Sequence, residues 1–220
     1  MAAQGTWMFP GGHTHARLGP LLLVLTFAGG LVDAVSFLDL GKVFVANMTG
    51  NVAFLGLALT GVDELSAPAS GTALAGFLAG AAVAGRVAPR AGGHRLLSLV
   101  VGAQAALVAV SLGAQLAGAG RYPVLVPLAL GMGLQNGVVH RLALPDLPTT
   151  VVTRGLAGLA ADPLGPATVR RALTALALFL GALTGGVLHF HVEPRAALAA
   201  VLALLLAVAV AARFPSRGSQ

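Results

Sequence analysis

Asp33 is the only acidic residue deep within an apolar run of this chain, and Asn47, Thr49 and Asn51 follow it within eighteen residues. Hydrocarbon cannot solvate such side chains, so a membrane protein keeps them where they face its own interior or a wet cavity. An inward carboxylate suits a proton or cation site; the structural alternative is a hydrogen bond or ion pair that locks two helices. Gly30 and Ala34 share a small-residue face with Asp33, which points that face at a neighbouring helix. Met48-Thr49-Gly50-Asn51 sets a glycine between two polar side chains. That pattern suits an unwound half-helix tip whose free N–H groups face an anion or a carbonyl, or else a cap at a kink.

A weaker set follows about a hundred residues on: Gln135, Asn136, Thr153 and Arg154. Amides bind ligand or cross-link helices, and the threonines Thr149, Thr150 and Thr153 can return their hydroxyls to their own backbone. Arg154 could pair with Asp33, bar cations from a pore, or snorkel to the surface from a short element. The candidate solute or ion pathway is therefore Asp33, Asn47, Thr49, Asn51, Gln135, Asn136, Thr153 and Arg154. No nucleotide-binding loop, metal-ligand cluster or nucleophile elbow is present, so neither a cofactor nor a metal is expected, and the chain reads as a non-enzyme. Cysteine is absent. His13 and His15 read as tail residues, and His140, His189 and His191 as interfacial ones.

The elements that must position these residues are helices in a membrane. Hydrophobic residues make up 57% of the chain, charged ones 9%, and the mean hydropathy is +0.89, whereas soluble domains carry about 25% charge. The net charge of +6 comes from basic residues scattered between apolar runs, which fits membrane orientation and not nucleic acid. Apolar runs lie at Leu18–Leu38, Val43–Leu59, Ala69–Gly85, Leu96–Leu116, Tyr122–His140, Thr149–Ala161, Ala172–Val192 and Ala196–Ala212. Thr149–Ala161 spans only about 20 Å as a helix, too little for a hydrocarbon core of about 30 Å. It reads as a half-helix that enters and returns.

Three matches suggest a duplication. Gly30-Leu-Val-Asp33 aligns with Gly133-Leu-Gln-Asn136 at an offset of 103, and Met48-Thr-Gly-Asn51 with Val152-Thr-Arg-Gly155 at 104. Thr72-Ala-Leu-Ala-Gly-Phe-Leu78 aligns with Thr174-Ala-Leu-Ala-Leu-Phe-Leu180 at 102. If every run crosses, the loop cations divide six against six. If Val43–Leu59 and Thr149–Ala161 both dip and return, nine cations lie on one side (Arg17, Arg86, Arg90, Arg95, Arg141, Arg170, Arg171, Arg213, Arg217) and three on the other (Lys42, Arg121, Arg195). The positive-inside rule favours the second arrangement. Seven spans give the same bias with the N-terminus outside, but the duplication favours six, three per half. An odd number per half inverts the halves relative to each other.

The motifs Gly30-Leu-Val-Asp33-Ala-Val-Ser through Phe44-Val-Ala-Asn-Met-Thr-Gly-Asn51, then Gly133-Leu-Gln-Asn136 through Thr149-Thr-Val-Val-Thr153, resemble the YoaK-like family of bacterial integral membrane proteins, over about residues 18–212. The resemblance implies about six helices in the cell (inner) membrane and brings no activity. Arg154 departs from it, standing where glycine is expected, which counts against a pathway role for that residue.

The expectation is an all-α polytopic bundle of about six spans and two half-helices, built from two inverted repeats. A loose cytoplasmic tail (1–17) would precede repeat 1 (18–119) and repeat 2 (120–212), with a C-terminal tail (213–220). Both termini would be cytoplasmic. The expected function is a small secondary transporter or channel for a small polar solute or ion; the alternative is a membrane interaction or assembly protein whose polar residues are structural. The patterns Gly76-x-x-x-Gly80 and Gly181-x-x-x-Gly185 would serve close crossing inside the bundle or a homo-oligomer.

Overall fold

The structure, a computed structural model, describes residues 12–87, 93–142, 152–163 and 165–213; for 12–17, 87, 93, 142 and 152–155 only the backbone is described. Among the described residues eight helices run α1 Gly12–Asp39, α2 Met48–Ala58, α3 Ala67–Val87, α4 Gly93–Leu116, α5 Arg121–Leu142, α6 Val152–Ala161, α7 Pro166–His191 and α8 Pro194–Arg213. No strand occurs among the described residues. Prolines open α7 and α8, where a missing N–H costs nothing and the fixed φ is already helical.

Six of these helices, α1, α3, α4, α5, α7 and α8, are long and apolar enough to cross a membrane. The 11 residues of α2 and the 10 of α6 make helices of only about 15–17 Å. The protein is a multi-pass membrane helix bundle.

Contacts between chain turns settle which helix ends meet. The space beside Gly41, just after α1, is bounded by Ser66 and Ala69 at the start of α3 and by Arg121 at the start of α5. His189 at the end of α7 lies 3.5 Å from Asp39 at the end of α1. At the opposite end, Arg213 of α8 meets Ser98 of α4 at 3.2 Å, and Arg141 of α5 lies beside Gly85 of α3. Thus α1 and α7 end where α3 and α5 begin. The segment with α2 returns to the end from which it left, so Val43–Leu59 does not cross.

Two expectations need correction. Residues 12–17, expected as loose tail, are already helical. The apolar run from Val43 is not helical until Met48; its first five residues form a buried loop.

Lipid supplies no hydrophobic drive between helices, so close backbone packing must hold them together. Glycines supply it in two seams. On α1, Gly30 lies against the backbone of α7 at Leu178 and Ala182, and Gly181 of α7 lies against Phe27. On α5, Gly133 lies against α3 at Phe77 and Ala81, and Gly80 of α3 lies against Leu130. A Cβ at any of these four would run into backbone atoms. Ala34 then faces Gly185, and Ala84 faces Gly137, each at 2.7 Å from where a glycine Cβ would stand. The GxxxG glycines are therefore used within the chain. Between the seams, α1, α4, α5 and α8 bury one apolar core that includes Leu22, Leu25, Val101, Leu128, Met132, Leu198 and Leu205. Against this framework α2 packs on α3, and α6 on α7.

Candidate functional site

After α1 the chain reverses through Gly41 (φ 103°) and Lys42 (φ 54°). Gly41 has a reason beyond its positive φ, since a Cβ there would stand 2.8 Å from the Arg121 guanidinium. Residues 43–47 then dive back beside α1. A buried loop needs partners for its N–H and C=O groups, and Asp33 supplies one set. Its Oδ1 accepts N–H bonds from Val45 at 2.9 Å and from Ala46 at 2.8 Å, while the residue is 6% exposed.

Asn51 supplies the other set. Its Oδ1 accepts from Phe44 N–H at 2.8 Å, and its Nδ2 donates to Phe44 C=O at 2.5 Å. Asn51 is fully buried and thereby imitates one rung of a strand ladder. Phe44 stacks between Phe37 and Phe54, with ring centroids 5.4 and 5.6 Å away. Gly50 makes room for that ring, because a Cβ would come within 2.7 Å of it. The loop N–H groups just ahead of α2 are thus met by the protein's own Asp33 side chain.

The other expected residues divide. Asn47 is the N-cap of α2, half-buried and without a side-chain cap bond, and Thr49 is exposed. Thr153 and Arg154 stand in the first turn of α6, where only the backbone is described; Thr149 and Thr150 lie outside the described residues. Asn136 donates to the C=O of Met132 on its own helix at 2.9 Å. So Asp33 and Asn51 share one cluster, while Gln135 and Asn136 sit on α5.

Gln135 is the exception among the amides. It is 1% exposed, and neither its Oε1 nor its Nε2 has a hydrogen-bond partner. Gln104 of α4, 2% exposed, donates Nε2 to the Met132 sulfur at 3.2 Å and leaves Oε1 unpartnered. Met132 lies one helical turn before Gln135 on α5. The loop and this amide region adjoin: the place a Cβ of Gly29 would occupy is 3.7 Å from both the Ala46 Cβ and the Met132 methyl. Sequence reasoning missed Gln104, an amide in an apolar run with no motif around it. It also missed Arg170, read as a loop cation and found 5% exposed in the second turn of α7. Among the described residues no three His, Cys, Asp or Glu gather as metal ligands.

The arrangement can hold a hairpin rigidly against α1 and offer unsatisfied amide groups inside the bundle. A family model described as "Protein of unknown function (DUF1275)" matches residues 21–211. A curated relative, the UPF0700 transmembrane protein YoaK of Bacillus subtilis (strain 168), is 33% identical over 147 residues, covering 64% of this chain and 65% of that protein. The alignment thus spans just under two thirds of the relative. No solved structure matches the chain.

Proposed function

We propose that this chain, which belongs to the DUF1275 family of proteins of unknown function, is a small secondary transporter or channel for a small polar solute or ion. The observation that carries the reading is the Gln135 amide, buried in the bundle with neither polar atom bonded. Each buried unsatisfied donor or acceptor costs about 1–3 kcal/mol, and a leucine would avoid that cost. Retaining the amide is explained if a solute or water passes within its reach. A carboxamide both donates and accepts, which suits a neutral or zwitterionic solute at least as well as an ion.

Within this reading the two halves are inverted repeats. The reciprocal glycine seams support it: half one lends α3 to α5, and half two lends α7 to α1. So does the opposite sense of α1 and α5. Asp33 and Asn51 then act as positioning residues that hold the first hairpin beside the amides. The Arg213 end faces the cytoplasm, because Arg86, Arg95, Arg141, Arg170, Arg171 and Arg213 gather there against Asp162 alone among the described residues. The chain contains no cysteine, so a single cysteine placed at Asp63 or at Arg213 reports sidedness directly.

The rival reading is an interaction or assembly protein whose polar residues only lock helices, and the engagement of Asp33 and Asn51 with backbone favours it. Stopped-flow shrinkage of proteoliposomes against glycerol, urea, glycine and potassium chloride separates the two. Transport predicts that at least one gradient relaxes faster than in empty vesicles, and that Gln135→Leu abolishes the gain without lowering thermal stability. Wild-type vesicles no faster than empty ones for every probe would leave the assembly reading standing.

A further inference from the structure

We propose that the pocket between the start of α4 and the end of α8 binds the phosphate of an anionic phospholipid headgroup. The pocket has a volume of about 470 Å³ and is lined by His94, Arg95, Ser98, Leu99, Ala212 and Arg213. This site is independent of the amide region and of the transport reading.

The pocket is built to hold positive charge in place. Ser98 is buried; its hydroxyl donates to the C=O of Ala209 at 2.8 Å and accepts from Arg213 Nε at 3.2 Å. That pins the guanidinium through one of its five donors. Some cations elsewhere have carboxylate partners, Lys42 with Glu64, Arg195 with Glu193 and Arg171 with Asp162. Among the described residues neither Arg95 nor Arg213 has one. The first turn of α4 also lacks an acid, so its free N–H groups add to the positive potential. Two arginines and a histidine around one cavity favour a phosphate oxygen cluster, which arginine binds with charge-assisted, often bidentate hydrogen bonds.

The surroundings distinguish a lipid from free phosphate. Both walls belong to membrane-spanning helices, and Leu99 on the pocket's edge is 54% exposed. A phosphate seated between the arginines would let acyl chains run along α4, where free phosphate gains nothing. Basic pockets between spans are a known form of headgroup site.

Native mass spectrometry of detergent-solubilised full-length protein with phosphatidylglycerol, phosphatidylcholine or inorganic phosphate tests the proposal. One phosphatidylglycerol should stay bound per chain and raise the thermal midpoint, and phosphatidylcholine should do neither. Arg95→Gln, at an exposed residue with no other partner, should reduce retention at least tenfold, and Arg213→Gln further. Arg86→Gln, at the same end but outside the pocket, should leave retention unchanged. Equal retention by Arg95→Gln and wild type, or by phosphatidylcholine, would overturn the site. Displacement of the lipid by millimolar inorganic phosphate with equal stabilisation would overturn the lipid assignment.

Discussion

The α1–α7 and α3–α5 seams are constructed alike and furnished differently. In each, a glycine of one helix lies against the backbone of its partner, and one turn further on an alanine faces a glycine. The roles even exchange: Ala34 meets Gly185 in one seam, and Gly137 meets Ala84 in the other. Three residues past the seam glycine, however, α1 carries Asp33, bonded to the loop ahead of α2, while α5 carries Asn136 beside the unbonded Gln135. Packing in lipid tolerates little variation, because backbone contact is the main attraction between helices. The polar residues beside a seam are free to differ, one for holding a hairpin and the other for meeting something else.

The largest effect should come from breaking the likeness itself. Gly30→Leu and Gly133→Leu would each drive a side chain into a partner backbone, and neither variant should yield folded protein after solubilisation. Even Gly30→Ala and Gly133→Ala should cost about 1–3 kcal/mol or more by overpacking, read from unfolding in SDS titrations. Gly102→Ala, with nothing within 4 Å of the new methyl, is the matched control and should be neutral or stabilising. If one seam accepts alanine at its glycine (Gly30 or Gly133) and the other does not, the comparison ends.

Next comes the difference in furnishing. Asp33→Ala leaves the Val45 and Ala46 N–H groups buried without an acceptor, which should cost about 3 kcal/mol; Asp33→Asn keeps an acceptor and should cost nearer 1 kcal/mol. Asn136→Ala should also cost about 1 kcal/mol. If Asp33→Asn is as damaging as Asp33→Ala, the carboxylate charge itself matters and the loop bonds are not the whole of its role. A loss comparable to that of Asp33→Ala, about 3 kcal/mol, is expected for Phe44→Ala, which removes two ring contacts and empties the space Gly50 leaves.

The helices and both short elements were legible in the sequence because length and hydropathy suffice for them. The fate of Val43–Ala46 was not. Hydropathy reads buried loop residues and helix residues alike, and only the distant Asp33 and the later Asn51 make a buried loop affordable there. The match between Gly30-Leu-Val-Asp33 and Gly133-Leu-Gln-Asn136 marked both seam glycines, though their partners on α7 and α3 come from the other half of the chain and left no local trace. The Ser98–Arg213 contact joins residues 115 apart and was equally hidden. Gln104 was invisible for another reason: its importance lies in a missing bond, which no residue pattern can record.

The smallest effects should fall where the two hairpins reach the surface. Glu64, just past α2, pairs with Lys42 at 3.3 Å with both side chains well exposed. Beyond α6, Asp162 pairs with Arg171, whose side chain is only 18% exposed. Exposed pairs contribute about 0–1 kcal/mol and are screened by salt, so Lys42→Gln should change stability by no more than about 0.5 kcal/mol. Asp162→Asn should reach about 1 kcal/mol at low ionic strength and lose most of that effect in 1 M salt. The cost of Asp33→Ala should not change with salt, because buried hydrogen bonds are little screened. Should Asp162→Asn instead match Asp33→Ala, and keep its effect in salt, surface charge and not the buried carboxylate would be what secures a hairpin in this fold.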